Sequence, residues 1–144
     1  MKTLVISAFP GTGKTVMRSM LKKSNQALDL HISDFPKDKF PSNYIEHIQN
    51  SKRKKVRIIL VSSHQAVRDA LVKNKIPFIL VYPDKSLKEE YLSRYCQRGS
   101  GDFFVSLLDN NWYSWIEECE RQEYCTHMRL PSKTYLSDVI IPII

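Results

Sequence analysis

Leu4-Val5-Ile6-Ser7-Ala8-Phe9-Pro10-Gly11-Thr12-Gly13-Lys14-Thr15 sets the architecture of this chain. An apolar strand-like run feeds into a turn with two glycines, which ends in Lys-Thr at the start of a helical pattern. From Ala8 the spacing is small-x-x-x-x-Gly-Lys-Thr, at which successive backbone N–H groups can curl around a phosphate. Gly11 and Gly13 allow the backbone angles and close approach that this needs. Lys14 is expected to bridge terminal phosphates, and the Thr15 hydroxyl to ligate Mg²⁺. A helix beginning near Gly13 adds free N–H groups and the positive end of its dipole. Ala8 stands where glycine is commoner, and its small side chain suits the same turn. Pro10, Gly11, Thr12, Gly13, Lys14 and Thr15 are thus the expected nucleotide-contacting set.

The chain has 144 residues, the size of one domain, so a sheet covered by helices is expected over 1–144. Its three cysteines, Cys96, Cys119 and Cys125, show no CxxC spacing, which points to neither a disulfide framework nor a zinc site. No run is long enough to span a bilayer and no cleavage-site pattern follows the first strand; a cytoplasmic protein is expected. The net charge of +7 is densest at Lys52-Arg53-Lys54-Lys55 and Arg57. No aromatic residues interleave with these cations as a single-strand stacking platform requires, and they read better as a helix C-terminus complementing its dipole.

Along the chain, strands are expected over 3–8, 27–32, 56–61, 78–82 and 126–130. Helices are expected after the phosphate loop to Ser24-Asn25, from a Ser42 cap, after Ser62-Ser63, over 87–98, and over 103–120. On the first helix Val16, Met17, Met20 and Leu21 share the apolar face. The segment 34–41 holds two prolines and reads as a loop. Phe104, Leu107, Leu108, Trp112, Trp115, Ile116 and Cys119 recur at spacings of three and four, a core-facing stripe. Strands alternating with helices imply right-handed crossovers: an α/β three-layer sandwich of P-loop NTPase type, with about five parallel strands and helices on both faces.

Ligands of such sheets collect at the C-terminal ends of the strands. That rule selects residues 8–15, Asp29 to Asp34, Ser62-Ser63-His64 and Tyr82-Pro83-Asp84. The third strand ends in Ser62-Ser63-His64, where many P-loop proteins carry a Mg²⁺-holding acid. Asp29 and Asp34 are therefore the candidate carboxylates, for a metal-bound water or for the acceptor's proton. Arg94 and Arg98, four apart and next to Gly99 and Gly101, share a helix face suited to clamping a transferred phosphoryl group under a small lid around 90–103. Glu90 also lies four residues before Arg94, a spacing that forms a surface ion pair.

The runs Ile6–Thr15, Phe40–Ile48, Val61–His64 and Leu80–Pro83, with Leu87–Tyr91, Arg94 and Arg98-Gly99, resemble small phage and bacterial P-loop proteins described as adenylate-kinase-like, or nucleoside/nucleotide kinase-like. The resemblance covers most of 3–120. It implies a five-stranded parallel sheet, ATP and Mg²⁺ as phosphoryl donor, and a nucleotide or nucleoside acceptor. Relatives carry Asp-x-Asp after the second strand; here Asp29-Leu30-His31 keeps one of the two acids. The function expected is transfer of the ATP γ-phosphoryl to a nucleoside monophosphate or similar small acceptor, with Lys14, Asp29, Arg94 and Arg98 catalytic and no membrane partner. Two alternatives are a polynucleotide 5′-hydroxyl kinase, with the basic cluster as strand track, and a nucleotide-binding regulatory protein with negligible turnover.

Overall fold

Five strands line up in parallel in the order β2-β3-β1-β4-β5: β1 Leu4–Ala8, β2 Ala27–Asp29, β3 Ile58–Ser62, β4 Ile79–Pro83 and β5 Thr126–Leu130. This is a computed structural model, describing residues 2–21 and 26–144; the expected end of the first helix at Ser24-Asn25 lies outside the described residues. Strand alternation divides the core between the two faces of the sheet. Ile6, Ala8, Ile58, Leu60 and Val81 pack beneath α1 (Lys14–Met20) and α6 (Leu136–Ile140). Val5, Phe9, Ile59, Val61, Leu80 and Tyr82 face α2 (Ser42–Arg53), α3 (Gln65–Lys73), α4 (Lys88–Gln97) and α5 (Asp102–Arg121). This is the expected three-layer sandwich.

Several boundaries move for identifiable reasons. The strand expected from Val56 begins at Ile58, because the Val56 amide donates to Ser51 O and finishes the end of α2. β2 stops at Asp29 rather than reaching Ile32, and two 3-10 turns, Ile32–Asp34 and Lys37–Lys39, carry the chain through its prolines. Ser42 is the first residue of α2, not its cap. α3 is capped by His64, whose Nδ1 accepts the Ala66 N–H at 3.3 Å, while Ser62 Oγ accepts the His64 N–H. On α1 only Met17 is fully buried, and Val16 and Met20 are exposed. The α5 stripe holds except at its edge, where Leu107 is exposed. The apolar C-terminus forms α6 and a 3-10 turn, Ile141–Ile143, which close one face beside α1.

Candidate functional site

The loop between β1 and α1 is braced from behind. The Ala8 carbonyl accepts Lys14 Nζ at 3.3 Å, and Phe9 O accepts the Thr12 hydroxyl at 2.8 Å. Pro10 O accepts the Tyr95 hydroxyl at 2.8 Å, Gly11 O accepts Arg94 Nη1 at 2.8 Å, and Thr12 O accepts the Leu136 amide at 2.8 Å. In a trans peptide the N–H points opposite to the carbonyl, so claiming these oxygens turns neighbouring amides the other way. Gly11 and Gly13 make this path possible with φ of 87° and 99°. No side chain caps the start of α1. A Cβ on Gly11 would lie 2.6 Å from Tyr95 Cε1, so there close packing adds to the conformational demand, whereas one on Gly13 would lie 3.2 Å from Tyr135 Cδ1 and ask that ring to give by a few tenths of an ångström.

In front of the loop opens a cleft of about 730 Å³ bordered by Pro10, Gly11, Gly13, Lys14, Thr15, Asp29, Arg94 and Arg98. The sequence separates these residues by up to 88 positions, and the fold returns all of them to one place at the C-terminal ends of the strands. Thr12, the remaining residue of the expected set, is turned inward and fully buried. Burial lowers the Lys14 pKa, the nearby Asp29 carboxylate opposes that shift, and Arg98 reinforces it. The Asp29 side chain is only 6% exposed and its carboxylate lies 3.7 Å from His31 Nε2. Asp34, in an exposed 3-10 turn, does not border the cleft. Asp84 is likewise apart, accepting the Ser86 amide as a turn cap and pairing with Arg129 at 3.8 Å.

Arg94 is not a free clamp. Its guanidinium lies between the Tyr91 and Tyr135 rings, 4.2 and 4.0 Å from their centroids. It also donates to Thr134 O and pairs with Glu90 at 3.0 Å. Glu90 in turn accepts the Ser132 hydroxyl and the Lys133 amide, and these bonds hold its pKa below the ordinary carboxylate range. The ion pair anticipated from the i,i+4 spacing is therefore one part of a knot that ties α4 to the β1–α1 loop and to residues 131–135. Arg98, by contrast, is exposed, bonded to Ser100 Oγ and resting on Tyr95 and Phe104. The expected lid is a short turn, Arg98 to Gly101, between two packed helices, with Gly99 at φ 78°.

Tyr135 and Gln97 also border the cleft and were not singled out as site residues, and Phe104, expected on the core-facing stripe, borders it as well. The rule that picks loops after strand C-termini would have found Tyr135 had it been applied to the fifth strand. Ser62, Ser63 and His64 face a second cavity, on the other side of Pro10. The basic run Lys52–Lys55 sits between the end of α2 and the start of β3, at the N-terminal edge of the sheet. A strand of five residues, ~16 Å at about 3.3 Å each, separates it from the loop end. Lys52 and Arg53 fall in the last turn of α2, where cations complement the dipole.

The chain superposes on the crystal structure of a gluconokinase from Sinorhizobium meliloti 1021 with a TM-score of 0.55, over 97% of this chain and 87% of that one. The fold is that of a P-loop kinase. At 14% identity the likeness is one of fold. No family model matches the sequence, and no curated protein does. Among the described residues no helix is long and apolar enough to cross a membrane.

Proposed function

We propose that this chain transfers the γ-phosphoryl group of ATP to a small acceptor of nucleoside monophosphate size or below. The observation that carries the reading is the loop itself. Every carbonyl from Ala8 to Thr12 is claimed by a protein donor, while Lys14, Thr15, Asp29 and Arg98 gather around the open side. An anionic chain is what such an inside-out peptide turn accommodates. That the structural neighbour is a kinase supports the reading, and the motif runs shared with small phage and bacterial nucleotide kinases support the narrower kinship.

In this reading Gly11, Thr12 and Gly13 cradle the donor phosphates with their backbone, the Thr12 amide giving up its 3.3 Å bond to Phe9 O, and Pro10 forms the shoulder toward the acceptor. Lys14 arrives partly desolvated and regains favourable charge on meeting the phosphates. Thr15, exposed in the cleft, offers its hydroxyl to Mg²⁺, and the ion when bound supplies charge neutralisation between the phosphates. Asp29 orients the acceptor hydroxyl and takes its proton as the new P–O bond forms and the bond to the leaving ADP oxygen breaks. Arg98 swings from Ser100 onto the transferred group as the turn 98–101 closes. Arg94 acts through Gly11, as a positioning residue. The chain works as one domain with this turn as its lid.

ADP release measured with Mg²⁺ over a panel of nucleosides, nucleotides, sugars, polyols and 5′-hydroxyl oligonucleotides tests the proposal. Mg²⁺-dependent ADP formation with a small acceptor is expected. Activity confined to oligonucleotides and falling steeply with salt would replace it with a polynucleotide kinase. ATP binding without turnover on any acceptor would leave a regulatory module.

A further inference from the structure

Beyond Pro10 from the phosphate cleft lies a cavity of about 270 Å³, bordered by Phe9, Ser62, Ser63, His64, Gln65, Arg68, Trp115, Glu118 and Cys119. Pro10 borders both spaces, so a molecule held in the cavity stands next to the loop that would hold the donor. The volume lies just below the ~300–1,000 Å³ typical of ligand pockets, which suits a small ligand.

The charge of the cavity is settled within the protein. Arg68, on the first turn of α3, is the one buried cation on its wall and is only 4% exposed. Its Nε donates to Ser63 O at 2.8 Å, Nη1 donates to Gln122 Oε1 at 2.6 Å, and Nη2 faces Glu118 at 3.8 Å. Nε and Nη1 are thus hydrogen-bonded, and the carboxylate of Glu118, beyond hydrogen-bond distance of Nη2, offsets the charge. His64 caps α3, its Nδ1 accepting the Ala66 amide. A phosphate entering here would meet the Glu118 carboxylate beside the one cation on the wall, whose charge that carboxylate already offsets. Like charges brought together in a partly buried site oppose binding. The polar groups that remain are neutral or acceptor-rich: the Ser62 and Ser63 hydroxyls, the Gln65 amide and the outer lone pairs of Glu118. Trp115 and Phe9 supply apolar faces. Hydroxyl groups are what such a set can satisfy, and C–H faces are what the two rings can cover.

We infer that this cavity is the acceptor site, and that its acceptor is a small uncharged polyhydroxyl compound, a sugar or polyol, instead of a nucleoside monophosphate. This rests on the phosphotransferase reading above and narrows its acceptor. One hydroxyl of the acceptor reaches past Pro10 toward the donor phosphate while the others bind Ser62, Gln65 and Glu118.

The test couples ADP release to a set of matched acceptors: D-sorbitol, ribitol and D-glucose against sorbitol 6-phosphate, adenosine and AMP. ATP-induced thermal stabilisation of the wild type and of Lys14→Met is measured alongside. Expected are turnover with at least one uncharged sugar or polyol, an at least tenfold lower kcat/KM for its phosphorylated counterpart, and none with AMP. Trp115→Ala and Glu118→Gln should each raise the acceptor KM about tenfold and leave the ATP KM within twofold, and the full ATP-induced stabilisation of both variants would show that they fold. Turnover with AMP or adenosine alone, or an acceptor KM unmoved in both variants, overturns the inference while Lys14-dependent ATP stabilisation keeps the underlying reading. Loss of that stabilisation in the wild type overturns both.

Discussion

Replacing Arg94 with alanine separates a positioning role from a clamping one, because the two roles differ in what they do to stability. The guanidinium makes a 2.8 Å charged hydrogen bond to Gly11 O, and such bonds contribute ~1.5–3 kcal/mol. Its pair with Glu90, with side chains 10% and 26% exposed, is discounted for solvent to about 1 kcal/mol. The two aromatic faces add ~0.5–1 kcal/mol each. These contacts share one side chain and do not add fully, so a net loss of about 3–4 kcal/mol is expected. For a chain of this size that lowers Tm by roughly 8–15 °C. Thermal unfolding followed by circular dichroism, with and without ATP, measures it. Arg94→Lys should recover less than half, because an ammonium cannot hold Gly11 O and Glu90 in a fixed fork or stack between two rings. ATP-induced stabilisation should fall in both variants as the loop loosens. An Arg94→Ala protein within about 2 °C of wild type, with normal ATP stabilisation and turnover lost, would refute the reasoning and restore the free clamp.

Lys14→Met should lower turnover about 10²–10³-fold by analogy with loss of one transition-state donor, and should not destabilise the ligand-free protein. Burial holds the Lys14 pKa below its unfolded value, so the unfolded state binds more protons as pH rises through that range. Wild-type stability therefore climbs with pH there, and the variant should lack that slope in denaturant melts. Asp29→Asn should cut kcat ~10²-fold or more with ATP affinity little changed, and undiminished turnover would remove Asp29 from the chemistry. Gly11→Ala should cost about 2–5 kcal/mol, the sum of a left-handed φ and a Cβ 2.6 Å from Tyr95 Cε1. Urea unfolding within 0.5 kcal/mol of wild type would show that the loop has room to relax.

The sheet was legible because burial and local pattern agree. Leu4–Ala8, Ile79–Tyr82 and Thr126–Leu130 are apolar or alternating runs bounded by turn residues, and they form strands where the pattern puts them. Boundaries moved where a tertiary bond outbid the local signal, as at Val56 and His64. Exposure on α1 could not be read from its period, since Val16 and Met20 have an apolar spacing but no partner layer above them among the described residues.

By itself the sequence determined the loop, the parallel α/β architecture and several of the residues that meet in the cleft, Lys14, Thr15, Asp29, Arg94 and Arg98 among them. Glycines at required φ values, a Lys-Thr pair and the periods of the flanking runs are local properties, and a local reading finds them. Only the tertiary structure decided how Arg94 and Arg98 divide their work. Four residues apart on one helix they look equivalent, but the loop 131–135 closes over one of them and leaves the other beside a glycine turn. It also decided that Arg68 is paired with Glu118 and hydrogen-bonded to Gln122, contributed by and just beyond a helix 50 residues away. A side chain's net charge toward a ligand depends on neighbours brought together by long-range packing, which no spacing along the chain encodes.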